Sequence, residues 1–346
     1  MPVHTWIPRF CLPVRRLVAL LVAIGALALV SPSVAQDATS GIPAHDPVMA
    51  EHNGTYYLFG TGEGITMWSS PDRENWTREG PVFDEAPSWA TEVVPEFDHD
   101  LWAPDIAEHD GTYYLYYAVS SFGSNASAIG VATSPTLDPD ADDYGWTDHG
   151  IVVESVPGRD AWNAIDANLI VAEDGTPWLT FGSFWGGIKL VEMATPPTEL
   201  ADDAEWHNLA GRHRYWKLDP KDAGDRMNGA IEAPFLFKHG DYYYLFASWG
   251  LCCRGEDSTY RVVVGRSKDI TGPYLDKEDQ EMRRGGGSLV VDGNDRWAGV
   301  GHSATYTFDG TDYLVFHGYD RQADGDSKLW IREIEWFHGW PEVSLE

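Results

Sequence analysis

Five stretches of the chain share one alternation of apolar and polar positions. Each has an apolar run, a polar turn that contains glycine, and a second run rich in tyrosine, leucine and phenylalanine, which together predict a β-hairpin. The stretches are "DPVMAEHNGTYYLFG", "APDIAEHDGTYYLYY", "DANLIVAEDGTPWLTFG", "EAPFLFKHGDYYYLFA" and "HSATYTFDGTDYLVFH". Their turn glycines are Gly54, Gly111, Gly175, Gly240 and Gly310, so the pattern recurs every 57 to 70 residues.

Further strand-like runs follow the predicted hairpins, among them "SAIGVATS", "GIKLVEM", "YRVVVGRS" and "KLWIREIEW". No convincing amphipathic helix separates them. A unit of about four strands that repeats five times predicts an all-β fold, a five-bladed β-propeller. Two β-sandwiches are the alternative, but they would not explain why the hairpin pattern recurs five times at similar spacing. We expect residues 41–346 to form one propeller domain, preceded by a short tether at residues 36–40.

In a propeller the first strand of each blade lines the central channel, so equivalent residues of all blades converge at one mouth. The positions eight residues before the turn glycines are Asp46, Ala103, Ala167, Glu232 and His302. In the third stretch an acid, Asp166, stands one residue earlier. We therefore expect Asp46, Asp166 and Glu232 to meet at the channel mouth, beside His302.

Three clustered acids suit the hydrolysis of a glycosidic bond. That reaction needs one carboxylic acid to protonate the departing oxygen and one carboxylate to activate water or attack carbon. Like charges in a partly buried site raise at least one pKa and keep one carboxyl group protonated near neutral pH. In a chain with 54 acidic residues, most are solvated surface groups, but these three stand between apolar residues, as in "AIDANLIV" and "AIEAPFLF".

Aromatic and polar residues near the same positions predict a sugar-binding surface. The apolar C–H faces of sugar rings pack on aromatic side chains, and their hydroxyl groups need fixed hydrogen-bond partners. Tryptophan is also an ordinary filling for propeller blades. The candidate substrate-binding residues are Trp102, Phe122, Gly123, Asn163, Ile165, Asn168, Ser183, Phe184 and Trp249.

The N-terminus has the pattern of a secretory signal peptide. Arg9, Arg15 and Arg16 precede an uncharged run, residues 17–30, and "SPSVAQ" suits cleavage after Ala35. A membrane anchor is the alternative, but this run is shorter than the ~20 residues that a spanning helix needs. We therefore predict a signal peptide at residues 1–35 and a secreted protein, extracellular or periplasmic.

The net charge narrows the possible partners of the protein. The formal net charge is −30, and removal of a signal peptide with three arginines and no acidic residue makes it −33. Such a surface repels nucleic acids and anionic membranes.

After loss of Cys11 only the adjacent Cys252 and Cys253 remain, so no disulfide joins distant parts of the chain. Their own redox state stays open at this stage.

Several motifs resemble, in order and spacing, those of the secreted endo-1,5-α-L-arabinanases of glycoside hydrolase family 43. They are "HDPVM", "LWAPDI", "SFGSNASAIGVA", "WNAIDANLI", "TFGSFWGGIKL", "EAPFLF" and "FHGYD". The resemblance spans about residues 41–346. A single motif such as "WAPD" is weak evidence, because related propeller glycosidases also have it, but the ordered set is specific.

The resemblance implies an enzyme that cleaves internal α-1,5-arabinofuranosyl bonds of arabinan or arabino-oligosaccharides with inversion. By motif, Asp46 is the general base, Glu232 is the general acid, and Asp166 tunes the pKa of the acid and holds it in place. Two alternatives stay open. One is an exo-acting α-L-arabinofuranosidase or β-xylosidase on the same scaffold, and the other is a sugar-binding propeller without catalysis.

The resemblance also implies a hydrated calcium ion near His302. An imidazole is a less natural partner for calcium than oxygen, so water would have to complete the shell. Alternatively, His302 only forms hydrogen bonds with neighbouring acids. Two positions depart from the family pattern: Ala167 stands where proline is common, and Ser303 stands where asparagine is frequent.

Overall fold

The computed structural model describes residues 1–2, 39–97, 99–212 and 229–346. Asp37–Glu346 form one compact unit. The predicted signal peptide lies outside the described residues except for its first two, and so do residues 36–38 of the predicted tether. In the described ranges, no helix has the length and apolar character needed to cross a bilayer.

In the described ranges, five antiparallel sheets of four or five strands form the blades, which confirms the predicted five-bladed β-propeller, and a sixth sheet near the C-terminus has two strands. In chain order the strands are β1 (Thr39–Pro43), β2 (Val48–His52), β3 (Thr55–Gly60), β4 (Gly62–Glu63), β5 (Thr66–Ser70), β6 (Thr77–Pro81), β7 (Asp100–His109), β8 (Thr112–Val119), β9 (Ser127–Ser134), β10 (Thr147–Ser155), β11 (Asn168–Val171), β12 (Pro177–Phe181), β13 (Ile188–Glu192), β14 (Trp206–Ala210), β15 (Ile231–His239), β16 (Tyr242–Trp249), β17 (Arg261–Ser267), β18 (Ser288–Asp292), β19 (Trp297–Phe308), β20 (Thr311–Asp320), β21 (Asp326–Glu333), β22 (Glu335–Phe337) and β23 (Trp340–Glu342). The described helices are short: α1 (Ala90–Val93) and 3-10 turns at Gly255–Asp257 and Met282–Arg284.

Each blade is built from consecutive strands. Blade one is β2-β3-β5-β6, blade two is β7-β8-β9-β10 with β4 beside β7, blade three is β11-β12-β13-β14, and blade four is β15-β16-β17-β18. Large apolar side chains on these strands are buried together. The largest cluster joins side chains from blades one, two, four and five, including Phe59, Leu115, Phe246 and Phe316.

Blade five is closed by the other end of the chain. Its sheet has the order β19-β20-β21-β1, and Thr39 pairs with Trp330 while Pro43 pairs with Lys328. Residues 39 and 40 of the predicted tether therefore belong to the sheet of blade five. The physical reason is that β21 would otherwise expose an unpaired strand edge.

One residue at the start of each blade has a positive φ, between 44° and 59°. These residues are Asp46, Ala103, Asp166, Ala233 and His302. Asp166 is therefore equivalent to Asp46 and His302, and it is Glu232 that stands one residue out of phase. Counting back from the turn glycine assigned this one-residue offset to blade three instead of blade four. The reason is that the number of residues between the left-handed residue and the turn glycine differs between these two blades.

Side chains of the preceding blade accept hydrogen bonds from the backbone N–H groups of four of these left-handed residues. Asp46 donates to His317 Nδ1 at 3.1 Å, Ala103 to Thr61 Oγ1 at 2.8 Å, Ala233 to Asp166 Oδ2 at 3.0 Å and His302 to Ser248 Oγ at 2.8 Å. Buried backbone donors need such partners. These hydrogen bonds join neighbouring blades at the channel mouth and place the candidate residues side by side.

Candidate active site

A cleft of about 670 Å³ opens at the channel mouth. All the predicted site residues except Asn168 and Trp249 line it. Those in the cleft are Asp46, Trp102, Phe122, Gly123, Asn163, Ile165, Asp166, Ser183, Phe184, Glu232 and His302. A cleft of this size is in the range of small-ligand sites.

Asp46 is held by two imidazoles and a hydroxyl group. His302 Nδ1 lies 2.8 Å from Oδ1, His45 Nδ1 lies 2.8 Å from Oδ2, and Thr61 Oγ1 donates to Oδ2 at 2.5 Å. Burial raises the pKa of the Asp46 carboxyl group, but His302 and His45 outweigh that effect, so the pKa lies well below its usual range. Asp46 is therefore a carboxylate at neutral pH, able to accept a proton.

The pKa of Glu232 is shifted in the opposite direction to that of Asp46. Ser183 Oγ donates to its Oε2 at 2.6 Å, and the buried Tyr260 hydroxyl donates to its Oε1. Burial raises the pKa of the Glu232 carboxyl group above its usual value, although both hydrogen bonds favour the charged form. Two carboxyl groups of one cleft thus have pKa values that are shifted in opposite directions, which is the usual arrangement for an acid and a base.

Asp166 forms a hydrogen bond with the backbone next to Glu232. Its Oδ2 accepts the backbone N–H of Ala233, the residue after Glu232, at 3.0 Å. Burial raises the pKa of Asp166 to about 7, while the charge of His302 opposes the shift. Asp166 therefore fixes the backbone beside Glu232 and adds negative charge near it when ionised.

His302 carries positive charge in this cluster. Burial lowers its pKa, but the Asp46 carboxylate, together with Asp166 and Glu232, outweighs burial and raises the pKa to about 9. The imidazolium therefore compensates part of the negative charge that the three acids bring together.

An aromatic pair borders the cleft. The rings of Trp102 and Phe122 are 4.8 Å apart, and Phe122 is 77% exposed. An exposed aromatic side chain at the rim of a polar cleft is a suitable surface for the C–H face of a sugar. Asn163 also lines the cleft, but its Oδ1 accepts a hydrogen bond from Ser127 at 2.7 Å.

Asn168, which the sequence predicts to bind substrate, does not line the cleft. The side chain is buried, its Oδ1 accepts the Leu236 N–H at 2.8 Å, and its Nδ2 lies 3.4 Å from Asp105 Oδ1. Asn168 points into the contact between blades three and four, because it lies two residues beyond the left-handed Asp166, inside the channel-lining strand β11. Its side-chain oxygen accepts a hydrogen bond from the backbone of blade four.

Asn168→Ala is accordingly expected to lower the free energy of unfolding by about 1–3 kcal/mol, since the buried Leu236 N–H loses its acceptor. Urea unfolding followed by tryptophan fluorescence measures this change. KM should stay at the wild-type value. A raised KM with unchanged stability would contradict this assignment and restore the predicted contact with substrate.

Trp249, also predicted to bind substrate, does not line the cleft either. Trp249 is the last residue of β16, and its ring packs against a buried cluster formed by blades three and four. The Arg212 guanidinium lies 4.6 Å from the ring centroid. Because successive strand residues face opposite sides of a sheet, a position at a strand end does not by itself direct the ring into the cleft.

Sequence reasoning missed several cleft residues. Thr61, Tyr260 and His45 contact the acids, and His317 and Tyr319 support them from blade five. His45 stands directly before Asp46 in the "HDP" motif, which was a usable signal. His317 and Tyr319 stand in the "FHGYD" motif, which was a second usable signal. Thr61 and Tyr260 lie outside the stretches with the repeated pattern, where nothing local distinguishes them.

The fold and the site define a glycoside hydrolase built on a five-bladed propeller. Residues 41–341 match the family model of glycosyl hydrolases family 43, and the chain belongs to this family. It is 52% identical over 321 residues to an extracellular exo-α-(1→5)-L-arabinofuranosidase of Cellvibrio japonicus, covering 92% of this chain and 91% of that protein. It is 40% identical over 301 residues to an extracellular endo-α-(1→5)-L-arabinanase of Bacillus subtilis, covering 86% of both chains. The structure of an α-L-arabinanase of Cellvibrio cellulosa with arabinohexaose superposes with a TM-score of 0.82 at 51% identity, covering 88% of this chain and 96% of that one.

Proposed function

We propose that the protein is a secreted, inverting hydrolase of α-1,5-linked arabinan and arabino-oligosaccharides. The observation that carries this proposal is the group of three buried carboxyl groups in one cleft, in which the pKa of Asp46 is lowered and the pKa of Glu232 is raised. The family membership and the names of the relatives support arabinan as the substrate. The predicted signal peptide and the extracellular relatives support secretion.

In the proposed reaction, Asp46 accepts a proton from a water molecule while the water oxygen attacks the anomeric carbon. Glu232 gives its proton to the glycosidic oxygen, and the bond between that oxygen and the anomeric carbon breaks. Asp166 positions Glu232 through the Ala233 N–H. The charge of His302 keeps Asp46 ionised in the resting enzyme.

Purified protein and debranched arabinan test the proposal directly. Proton NMR of the first product should show the β-anomer, which then equilibrates by mutarotation. An initial α-anomer would contradict inversion. Tight binding of arabinan without any turnover would support the sugar-binding alternative.

Endo attack is the prediction from the sequence motifs, and exo attack is a second candidate because the Cellvibrio japonicus relative, at 52% identity, is named as an exo-enzyme. The ratio of viscosity loss to reducing ends separates them. A rapid loss of viscosity supports endo attack, whereas release of one short product from the first turnover supports exo attack.

Calcium near His302 stays a prediction, and the donor atoms do not favour it. Calcium prefers six to eight oxygen ligands. Among the described residues, the acidic and imidazole groups close enough to share an ion are His45, Asp46 and His317, which offer two nitrogen donors and one carboxylate. His302 is itself held as an imidazolium on Asp46. The proposed reaction therefore contains no step that depends on an ion.

Ser183→Ala should change the pH dependence of kcat/KM. The Ser183 hydrogen bond lowers the pKa of Glu232, so its loss raises that pKa. The general acid acts in its protonated form, so kcat/KM declines as pH rises through the pKa of Glu232. The decline in the variant should begin at higher pH than in the wild type.

A pH profile on a soluble arabino-oligosaccharide measures this shift. Ser121→Ala, another cleft serine, is the matched control and should keep the wild-type profile. An alkaline decline at lower pH in Ser183→Ala would contradict the role of Glu232 as the acid.

A further inference from the structure

The loop after β16, residues 251–254, borders the cleft beside the carboxyl groups. Leu251, Cys252 and Cys253 all line the cleft, and a disulfide joins the two adjacent cysteines. Leu251 and Cys252 are half-buried, and Cys253 is exposed. The loop therefore brings a leucine and a disulfide-bonded cysteine pair to the border of the cleft. We call this apolar surface, formed by Leu251, Cys252 and Cys253, the disulfide wall.

The disulfide wall and the aromatic pair come from different parts of the ring of blades. The wall belongs to blade four, whereas Trp102 and Phe122 belong to blade two, and these blades are not neighbours. The cleft is thus bordered by apolar surface on two sides. Consecutive furanose rings offer apolar C–H faces to both surfaces when an arabinan chain crosses the mouth.

The disulfide wall is also connected to Asp46. The Cys253 N–H donates to the Tyr319 hydroxyl at 2.8 Å, and this hydroxyl lies 2.9 Å from His45 Nε2. Cys253 Sγ is 3.7 Å from the same nitrogen. His45 Nδ1 in turn lies 2.8 Å from the Asp46 carboxylate. A sugar that contacts the sulfur atoms therefore lies directly beside the base.

We propose that the disulfide wall is a sugar-binding surface and that the closed disulfide holds it in place beside Asp46. This inference rests on the proposed function. Cys253 has a φ of 63°, in a region that residues with a β-carbon rarely adopt. A bond between adjacent cysteines closes a small ring that contains the intervening peptide, so the backbone has few conformations. When the bond opens, Cys253 is free to leave this region, and its N–H is free to leave Tyr319.

Reduction of the folded enzyme tests the proposal. Dithiothreitol opens the bond to two thiols and is itself oxidised to its cyclic disulfide. We expect KM for linear arabinan to rise about tenfold, the scale of a lost apolar contact in a pocket, with little change in kcat. Alkylation and mass analysis of the tryptic peptide 239–254 count the thiols without interference from Cys11.

The double variant Cys252→Ser/Cys253→Ser is the genetic counterpart. Its KM should equal that of the reduced wild type and should not respond to dithiothreitol. Circular dichroism and the melting temperature verify that it is folded. A fall in melting temperature and kcat with an unchanged KM indicates a purely structural disulfide and overturns the proposal.

Protection by ligand tests the contact itself. In Glu232→Gln, which hydrolyses arabinan far more slowly than wild type, saturating arabinohexaose should slow reduction of the disulfide, whereas cellohexaose should not. Equal reduction rates with and without arabinohexaose overturn the proposal. If oxidised wild type does not hydrolyse arabinan, the proposed function fails. If it does so with the same KM in both redox states, only the disulfide wall is wrong.

Discussion

Glu232→Gln is expected to reduce kcat for linear arabinan by about 10²–10⁴-fold, the usual contribution of a general acid. The amide keeps the size of the side chain, and its carbonyl oxygen can accept one of the two hydrogen bonds that Ser183 and Tyr260 donate to separate oxygens of Glu232. It has no acidic proton. A sugar alkoxide is a poor leaving group and depends on that proton. An aryl arabinofuranoside with an acidic phenol does not, so its hydrolysis should fall much less.

The contrast between the two substrates is the decisive measurement. Rates on arabinan and on 4-nitrophenyl arabinofuranoside are compared in wild type, in Glu232→Gln and in Glu256→Gln. Glu256 lies in the exposed 3-10 turn after the disulfide wall, and its variant should resemble wild type. Equal losses on both substrates in Glu232→Gln would show that Glu232 does not protonate the leaving group.

Asp46→Asn is expected to lose a similar factor, about 10²–10⁴-fold, but on both substrates alike. The reason is that the base acts on water, whatever the leaving group. The pKa of Asp46 is held well below its usual range by His302 and His45, so the wild-type base remains ionised through the acidic range. In the variant, azide needs no deprotonation and should restore turnover of the aryl substrate as a β-arabinosyl azide.

Asp100→Asn is the matched control, because Asp100 is another aspartate that lines the cleft. It should retain catalysis within a small factor of wild type. Mass spectrometry and NMR identify the azide adduct and its anomeric configuration. An α-azide in Asp46→Asn would contradict the placement of the base on the face opposite the leaving group, and wild-type rates in the variant would remove Asp46 from the mechanism.

The candidate site could be predicted in its main residues but not in its register or its supporting contacts. The phase of the repeat predicted that Asp46, Asp166, Glu232 and His302 would meet, and all four line one cleft. The shift by one residue was assigned to Asp166, although it belongs to Glu232. A count from a turn glycine assumes equal hairpins, and the hairpins of blades three and four differ in length.

Polar residues were harder to assign than acids. Asn163 and Asn168 stand five residues apart in one motif, yet the first lines the cleft and the second binds the backbone of blade four. Both are buried polar side chains that need partners. Which partner each one has depends on the neighbouring blade, and that information is not in the motif.

The sequence by itself determined the number of blades, the strands within them and the group of acids at the channel mouth. These follow from the alternation of apolar and polar residues, since each strand must bury one face and each hairpin needs its glycine turn. The tertiary structure decided the electrostatics of the acids and the setting of the cysteine pair. Asp46 is held by partners as far as 271 residues away along the chain. Its pKa depends on burial and on such distant contacts. The local sequence pattern shows neither the burial nor the contacts.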